Sequence, residues 1–406
     1  MSVSEKKASE EKQQLSDAEV TSHTASLWKY NPIPESPEPY PEYLSAYDKN
    51  SFSEIIAARV RGKKHKHEGS NCDDWYAFDR VGEWTIAVVS DGAGSKALSR
   101  IGAKSSCDAV VASLKTEFTA VMEMCPDIKS DLGKAYDDPA FNAACGKLAV
   151  LMQNSFGAAF RAVENAYITR AAMPEFEEAM GRKPEISDYS GTLLAAVIIP
   201  VEKGEHFIIA VQIGDGMIAS VNFNADFENA LRLLGNADGG SFAGETEFLT
   251  SEQTRGADSL KSRTKILRGK ISSVLLMSDG VADDYYPNSP QLLRLYLDLM
   301  ANGIIGSPKS DKKDCGLKIP SPVAYPWVND SDVSYSLQYT KNILSENNME
   351  LSALWKERSD GIIEKSCLES FDISHGNEKS DRLLVWLDNY VERGSFDDRT
   401  LVIINV

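Results

Sequence analysis

Two acidic strings far apart in the chain each close an apolar run, and they constrain the fold more than any other feature. Trp84 to Gly94 ends in Ser90-Asp91-Gly92-Ala93-Gly94, and Val274 to Asp283 ends in Ser278-Asp279-Gly280-Val281-Ala282-Asp283. In both, a run of β-formers reaches a Ser and then sets an Asp-Gly where a strand should finish, with the glycine letting the backbone turn beside the carboxylate. Two further candidates for a carboxylate at a sheet edge are Cys72-Asp73-Asp74 and Ser395-Phe396-Asp397-Asp398. If these segments converge, they form an all-oxygen pocket suited to Mg²⁺ or Mn²⁺ and to phosphoryl chemistry.

Each string also has an ordinary reading. Asp-Gly is a common turn dipeptide, and Gly214-Asp215-Gly216 is a hairpin signal in its own right. Asp73 and Asp74 suit a helix cap or a solvated turn, and Asp397 and Asp398 suit a charged strand start with Arg399 as a surface partner. The pairing of two matched Ser-Asp-Gly strings in the same strand context favours the metal reading for Asp91 and Asp279.

Composition narrows the partners. Sixty acidic residues against 43 basic give a formal charge of −17. This disfavours nucleic acid and anionic membranes, which need clustered Lys and Arg. A phosphorylated ligand then requires local cations or metal ions to offset the field. The six cysteines, at 72, 107, 125, 145, 315 and 367, form no CxxC pair, so neither a disulfide framework nor a zinc site is expected. With no apolar leader at Met1 and no run near membrane-spanning length, a cytoplasmic setting is expected.

Residues 1–50 read as an extended appendage. A polar opening leads into Asn31-Pro-Ile-Pro-Glu-Ser-Pro-Glu-Pro-Tyr-Pro41, whose five prolines in eleven residues exclude helix and central strand. A spacer, or a strap laid over the domain surface, is favoured there over a proline-motif ligand. Residues 51–406 read as one domain. Strands are expected at 54–60, 75–78, 84–89, 193–199, 206–211, 217–221, 248–250, 271–277 and 401–406, with 217–221 returning from the turn at Asp215 as partner of the strand before it. Helices are expected at 99–114, 147–172 and 380–394, the last ending at Gly394. The stretch from about 285 to 380 reads as a variable insert, with a helical pattern at 292–300 and weak alternation at 332–340, and the Gly-rich stretch 235–244 reads as a surface loop. Antiparallel hairpins with long helices between strand groups indicate α+β, not the alternating βαβ of a doubly wound fold.

The order of the motifs resembles that of the metal-dependent serine/threonine protein phosphatases of the PPM, or PP2C, family, especially its bacterial branch. Asp73-Asp74, Asp91-Gly92, Gly191-Thr192, Gly214-Asp215, Ser278-Asp279-Gly280 and Asp397-Asp398 follow one another as that family's motifs do. The resemblance covers about residues 54–406 apart from much of 285–380. It implies an αββα sandwich, two antiparallel sheets packed face to face between helical layers. It implies that Asp91, Asp279 and Asp397 bind a first divalent ion, Mg²⁺ or Mn²⁺, and that Asp73, Asp91 and the Gly92 carbonyl bind a second. Asp74 would hold water from behind, and Asp215 and Asp283 would hold a third, weaker ion found in some members. The implied reaction is direct hydrolysis of phosphoserine and phosphothreonine in proteins by a metal-activated water, with a cognate kinase as a further partner.

The chain departs from the family pattern in two places. Gly69 stands where many members carry a phosphate-clamping Arg, and Ala93 where eukaryotic members often carry His. Of the basic run Arg61, Lys63, Lys64, His65, Lys66 and His67, His67 is taken as the replacement for the clamp, against the reading of an exposed residue in a solvated loop. The missing Arg motivates a rival reading, a pseudophosphatase that binds phosphoproteins or kinases without turnover. A second rival is a phosphohydrolase of small phosphate esters.

Overall fold

The computed structural model describes residues 28–222 apart from Ser36, then 231–235, 246–285, scattered positions between 292 and 305, 379–389 and 396–406. Two antiparallel sheets form its centre. The first contains β1 (Tyr43–Lys49), β2 (Glu54–Val60), β11 (Arg399–Asn405), β10 (Ser273–Met277), β7 (Met217–Val221) and β8 (Leu231–Leu233), in that spatial order. The second contains β3 (Trp75–Val81), β4 (Trp84–Ser90), β5 (Leu193–Pro200), β6 (His206–Ile213) and β9 (Thr264–Gly269).

The period-2 geometry of a strand explains why nearly every residue of β2, β4, β5 and β6 is apolar. One face of each strand fills the space between the sheets, where Ile55, Ala57, Ala87, Val89, Leu194, Ala196, Ile208, Ala210, Leu276 and Val402 form one core. The opposite faces pack under helices. Ile86, Val88, Ala195, Val197 and Ile209 meet the long helices α2 (Ser99–Met124) and α3 (Pro139–Ala171). Ile56, Ala58, Leu275, Leu401 and Ile403 meet α6 (Lys379–Asn389) through Leu383, Val385, Trp386 and Leu387. Three cores separated by two sheets make an αββα sandwich, the fold class expected from the pattern. Three short helices matter to the site: α1 (Lys63–Glu68), α4 (Ala257–Arg263) and α5 (Asp279–Ala282).

Several expectations shift. β7 does not pair with β6 but lies against β10 in the other sheet, so the turn at Asp215 carries the chain from one sheet to the other. Gln212 on β6 staples that passage, its Nε2 donating to the carbonyls of Gly214 at 3.1 Å and Gly216 at 2.6 Å. Phe248 to Thr250 is a turn rather than a strand, closed by the Ser251 N–H on the Phe248 carbonyl. The loop expected at Gly62 to Gly69 contains α1, and β9 was not anticipated.

The stretch expected as an N-terminal appendage contains a strand. Tyr43–Lys49 is a full edge strand, in register with β2 from Tyr43↔Val60 to Lys49↔Glu54. The proline-rich stretch before it lies over the domain as a strap. Arg100 donates to the carbonyls of Pro37 and Glu38, Arg170 pairs with the Glu38 carboxylate, and Tyr40 is buried. Of the insert, Leu292, Leu295, Tyr296 and Leu299 are helical and buried in the core under the first sheet. Residues 1–27, most of the Gly-rich loop at 235–244, the alternating stretch at 332–340 and Gly394 lie outside the described residues.

Candidate functional site

Strand registers explain why the acidic strings meet. Trp75 pairs with Ser90, so Asp73-Asp74 and Asp91 leave one hairpin at the same end. Leu193 pairs with Ile213, which sets Gly191-Thr192 beside the Gly214 turn. Met277 pairs with both Leu401 and Met217, and Arg399 with Val60, which brings Asp279, Asp215, Asp397-Asp398 and the start of α1 to that end of the other sheet. Segments spread over more than three hundred residues of sequence therefore share one rim.

At its centre, carboxylate oxygens of Asp91, Asp215 and Asp279 lie within 4.8 Å of one another, all half-buried. Burial first, then the charges of Asp279, Asp74 and Asp397, pushes Asp91 well above the usual carboxylate range. Burial, Asp215 and Asp397 likewise raise Asp279 to about 8. Asp397 thus adds to the same field from an exposed position on the rim. Asp283, also exposed, is raised by burial of its carboxylate and by Asp215. Asp74 sits behind the cluster, buried, accepting 2.6 Å from Thr400 Oγ1, and is raised to about 7 by burial and by Asp398.

Fixed hydroxyls hold these backbones. The Asp91 N–H donates to Thr192 Oγ1 at 2.9 Å and its carbonyl accepts from the Thr192 N–H at 2.8 Å, while Ser90 Oγ donates to the Thr192 carbonyl at 2.6 Å. Ser278 Oγ accepts from the Thr400 N–H at 3.0 Å. Thr246 Oγ1 donates to Asp215 Oδ2. The glycines of the motifs permit close approach. A Cβ on Gly92 would stand 2.5 Å from the Asp73 carbonyl oxygen, and one on Gly280 would stand 1.9 Å from that of Asp398. The Ser, Thr and Gly residues of the strings thus have a mechanical reason to flank the acids.

A second acidic group adjoins the first. Asp398 is buried, accepting at 2.6 Å from the N–H groups of both Gly62 and Asp73, with His65 Nδ1 at 2.9 Å as an ion pair rather than an aligned hydrogen bond. His65 Nε2 is 3.9 Å from Asp73 Oδ2. Burial pulls the His65 imidazole down, but Asp398, Asp73 and Asp397 outweigh it and lift it to about 9. Asp398 is correspondingly held below the ordinary carboxylate range despite its burial. Asp73, buried and facing Asp398, rises to about 7.

The residue of α1 that reaches the acids is therefore His65. His67 is on the exposed side, its Nδ1 accepting the Lys29 N–H at 3.0 Å and its ring 5.2 Å from that of Trp28. On a helix, residues two apart face different sides, which a loop reading of the run could not resolve. The other basic residues are divided similarly. Arg61 donates to the carbonyls of His65 and Asn31, and Lys66 pairs with Asp388. Lys64 points toward the Asp91–Gly94 loop, with Nζ 4.0 Å and His65 Nε2 3.7 Å from where a Cβ on Gly94 would stand. Gly69 caps α1 in the left-handed region at φ 76°, so the helix end demands glycine where an Arg was sought. Arg399, read as a surface residue, is buried and donates to the Leu387 carbonyl of α6 at 2.7 Å.

The described residues fit a hard divalent cation. Asp91, Asp215 and Asp279 offer only oxygen, and the buried atoms Asp74 Oδ1 and Asp215 Oδ1 have no hydrogen-bond partner within the protein. Like charges at this spacing raise one another's pKa unless a cation compensates them.

A model of the Protein phosphatase 2C family matches residues 61–304, the span that carries five of the six motifs, the whole second sheet and half of the first. No curated protein matches the chain. Among solved structures, RsbX in complex with magnesium is 9% identical, with 89% of this chain and 99% of that one covered at a TM-score of 0.32. The phosphatase Stp1 from Staphylococcus aureus is 9% identical, with coverage of 93% and 98% and a TM-score of 0.34. PppA from Pseudomonas aeruginosa is 11% identical, with coverage of 90% and 98% and a TM-score of 0.34. At such values family membership rests on the matched sequence, and the architecture on the topology described above. The chain belongs to the Protein phosphatase 2C family.

Proposed function

We propose that the protein hydrolyses phosphoserine and phosphothreonine in proteins with the help of two divalent ions, Mg²⁺ or Mn²⁺. The observation that carries this reading is the meeting of Asp91, Asp215 and Asp279, none of which forms an ion pair with a cationic side chain among the described residues. Asp91, Asp279 and Asp397 would hold the first ion, and Asp73, Asp91 and the Gly92 carbonyl the second, with Asp215 and Asp283 available to a third. When bound, the ions supply positive charge for the phosphoryl oxygens and activate water for in-line attack.

The chain's own residues do the positioning. Asp74, fixed by Thr400, presents its free Oδ1 toward the acidic group and orients water there. Lys64, near Gly94 at the rim, is placed to contact the incoming phosphate, the role first sought at His67. His65 keeps Asp73 and Asp398 in one arrangement behind it. The phosphoprotein, its kinase and a cytoplasmic location follow from this reading as proposals.

The test is a titration of Mg²⁺ and Mn²⁺ on purified protein, with a chromogenic phosphate ester and a phosphothreonine peptide and a chelator control. Hydrolysis of both that rises with metal and vanishes with chelator supports the reading. Hydrolysis of the ester alone favours a small-ester phosphohydrolase. Phosphopeptide binding without turnover under any metal condition favours the pseudophosphatase, motivated by Gly69 at the Arg position.

A further inference from the structure

Next to the acidic rim is a cavity of about 210 Å³ that the reading above leaves without a role. Phe156 and Phe160 of α3, Ile213 at the end of β6, Leu249, and Leu260 of α4 give it apolar walls. Its volume exceeds the roughly 150 Å³ that suffices to hold a benzene ring. It therefore accepts one large apolar side chain.

The mouth is cationic. Arg161 and Arg255 line it, and neither forms an ion pair with a carboxylate among the described residues. Arg255 is held in place, its guanidinium 3.9 Å above the Phe160 ring and its Nε donating to the Ser251 carbonyl at 3.2 Å. Arg161 is exposed. In a chain of net charge −17, two arginines that form no ion pair with the described residues give this cavity a local positive charge. A stacked guanidinium keeps its donors available for a carboxylate at little cost in conformational entropy.

The cavity is tied to the proposed active site through its lining residues. Ile213 precedes Asp215 by two residues, so their Cα atoms are at most about 7 Å apart. The Leu249 N–H donates to the carbonyl of Gly191, the residue beside Asp91, and Thr246 in the same segment bonds Asp215. A ligand in the cavity thus sits within a few residues' reach of a phosphate at the rim.

We infer that this cavity is a docking subsite for the substrate protein, taking one large apolar side chain flanked by acidic residues near the phosphorylated position. The inference rests on the phosphatase reading for its purpose but not for its chemistry. The apolar walls bind the side chain, and Arg161 and Arg255 bind the flanking carboxylates.

The test uses the full chain and a fluorescein-labelled unphosphorylated peptide Glu-Glu-Phe-Glu-Glu, read by fluorescence anisotropy. Replacing the peptide's Phe by Ala should weaken binding at least about tenfold, as should the double variant Arg161→Glu/Arg255→Glu, while chromogenic-ester hydrolysis stays within about twofold of the parent. The peptide substitution needs no protein variant, so misfolding cannot mask the answer. Equal binding of both peptides, or no binding of either, overturns the docking subsite even where the ester is hydrolysed. Binding of phenylacetate without binding of the peptide also overturns it, in favour of a small-molecule pocket. Should the ester resist hydrolysis at every metal concentration while the peptide pattern holds, the subsite stands and the phosphatase reading fails.

Discussion

Two neighbouring groups of carboxylates at the same rim solve the same electrostatic problem in opposite ways. Around Asp398 the chain provides its own counter-ion: His65 sits 2.9 Å from it, and two backbone N–H groups complete its shell. Around Asp91, Asp215 and Asp279 none of the described residues forms such an ion pair, and burial and mutual repulsion push Asp91 and Asp279 upward. A carboxylate with a full set of internal partners is a structural tie. Carboxylates gathered with lone pairs unspent are arranged for something from outside. The comparison separates two adjacent aspartates, Asp397 and Asp398, that look alike in sequence.

The widest separation should appear on exchanging acid for amide in each group. Asp279→Asn should cost at least about a hundredfold in metal-dependent hydrolysis, with a melting temperature in chelator equal to or above that of the parent, because a repelling charge has been removed. Steady-state kinetics at saturating Mn²⁺ and a thermal melt check the two halves. Near-parental activity in folded protein would refute the role of Asp279.

Asp398→Ala should show the reverse balance, with stability the first casualty. It leaves a buried imidazolium and two N–H groups without their acceptor, and breaking a buried pair in this way costs about 3–5 kcal/mol. Denaturant unfolding measures it. A loss below about 1 kcal/mol would mean that His65 is not charged in the folded protein, and the contrast between the two groups would collapse.

How much of this was legible beforehand depends on range. Strand-ending Asp-Gly strings and continuous apolar runs are local signals, and they located Asp91, Asp279 and most strands. The sheet to which a strand belongs is not local: Gly214-Asp215-Gly216 looks like a hairpin turn, yet its flanking strands lie in different sheets. The helix Lys63–Glu68 has six charged or imidazole-bearing residues in succession and no apolar period, so its faces, and with them the distinction between His65 and His67, were hidden. The partners of Asp398 come from residues 336 and 325 positions away, beyond any window a single sequence offers. Thr400 and Thr192 were missed as holders of the site. The signal was present, since each hydroxyl stands at the mouth of a strand beside an acidic string, but only the register shows which acid it meets.

The edge of the first sheet gives a smaller effect, and one contrary to the boundary read from the sequence. A chain beginning at Tyr47 loses half of β1 together with the buried Tyr40 and the Glu38–Arg170 pair. Removal of the Tyr40 burial alone is worth about 1.5–3 kcal/mol, whereas a chain beginning at Trp28 should keep parental stability. Comparing the two by denaturant unfolding decides whether the strap is part of the domain. Equal stability of the Tyr47 and Trp28 chains would restore the boundary at residue 50.

At the rim itself, Lys64→Ala should raise KM for the phosphopeptide about three- to tenfold with little change in metal affinity, since Lys64 Nζ lies near Gly94 and is proposed to bind the ester rather than the ions. His67→Ala should leave both unchanged because its ring is engaged with Lys29 and Trp28. Should His67→Ala and not Lys64→Ala raise KM, the assignment between these two residues reverses.

The smallest effect is a slope, and it bears most directly on the contrast between the two groups. Asp73 and Asp74 are raised to about 7 and Asp279 to about 8, each above the unfolded value near 4. A carboxylate whose folded pKa is raised binds its proton more tightly in the native state, so the metal-free protein loses stability as pH climbs from about 4 through about 8. His65, raised to about 9, contributes stability that is whole below its unfolded value near 6.5 and lost as pH rises through 9, so it steepens the same decline rather than offsetting it. A divalent ion competes with those protons for the carboxylates and reverses the slope for the acids but not for the histidine. Melting temperatures in chelator should therefore fall steadily between pH 5 and pH 8, and the gain on adding Mg²⁺ or Mn²⁺ should widen over the same interval. In Asp279→Asn the widening should shrink, because one of the competing protons has gone. A gain from metal that is constant with pH would mean that the cluster is already ionised without it, and the acids at the centre of the rim would then be no different in kind from Asp398.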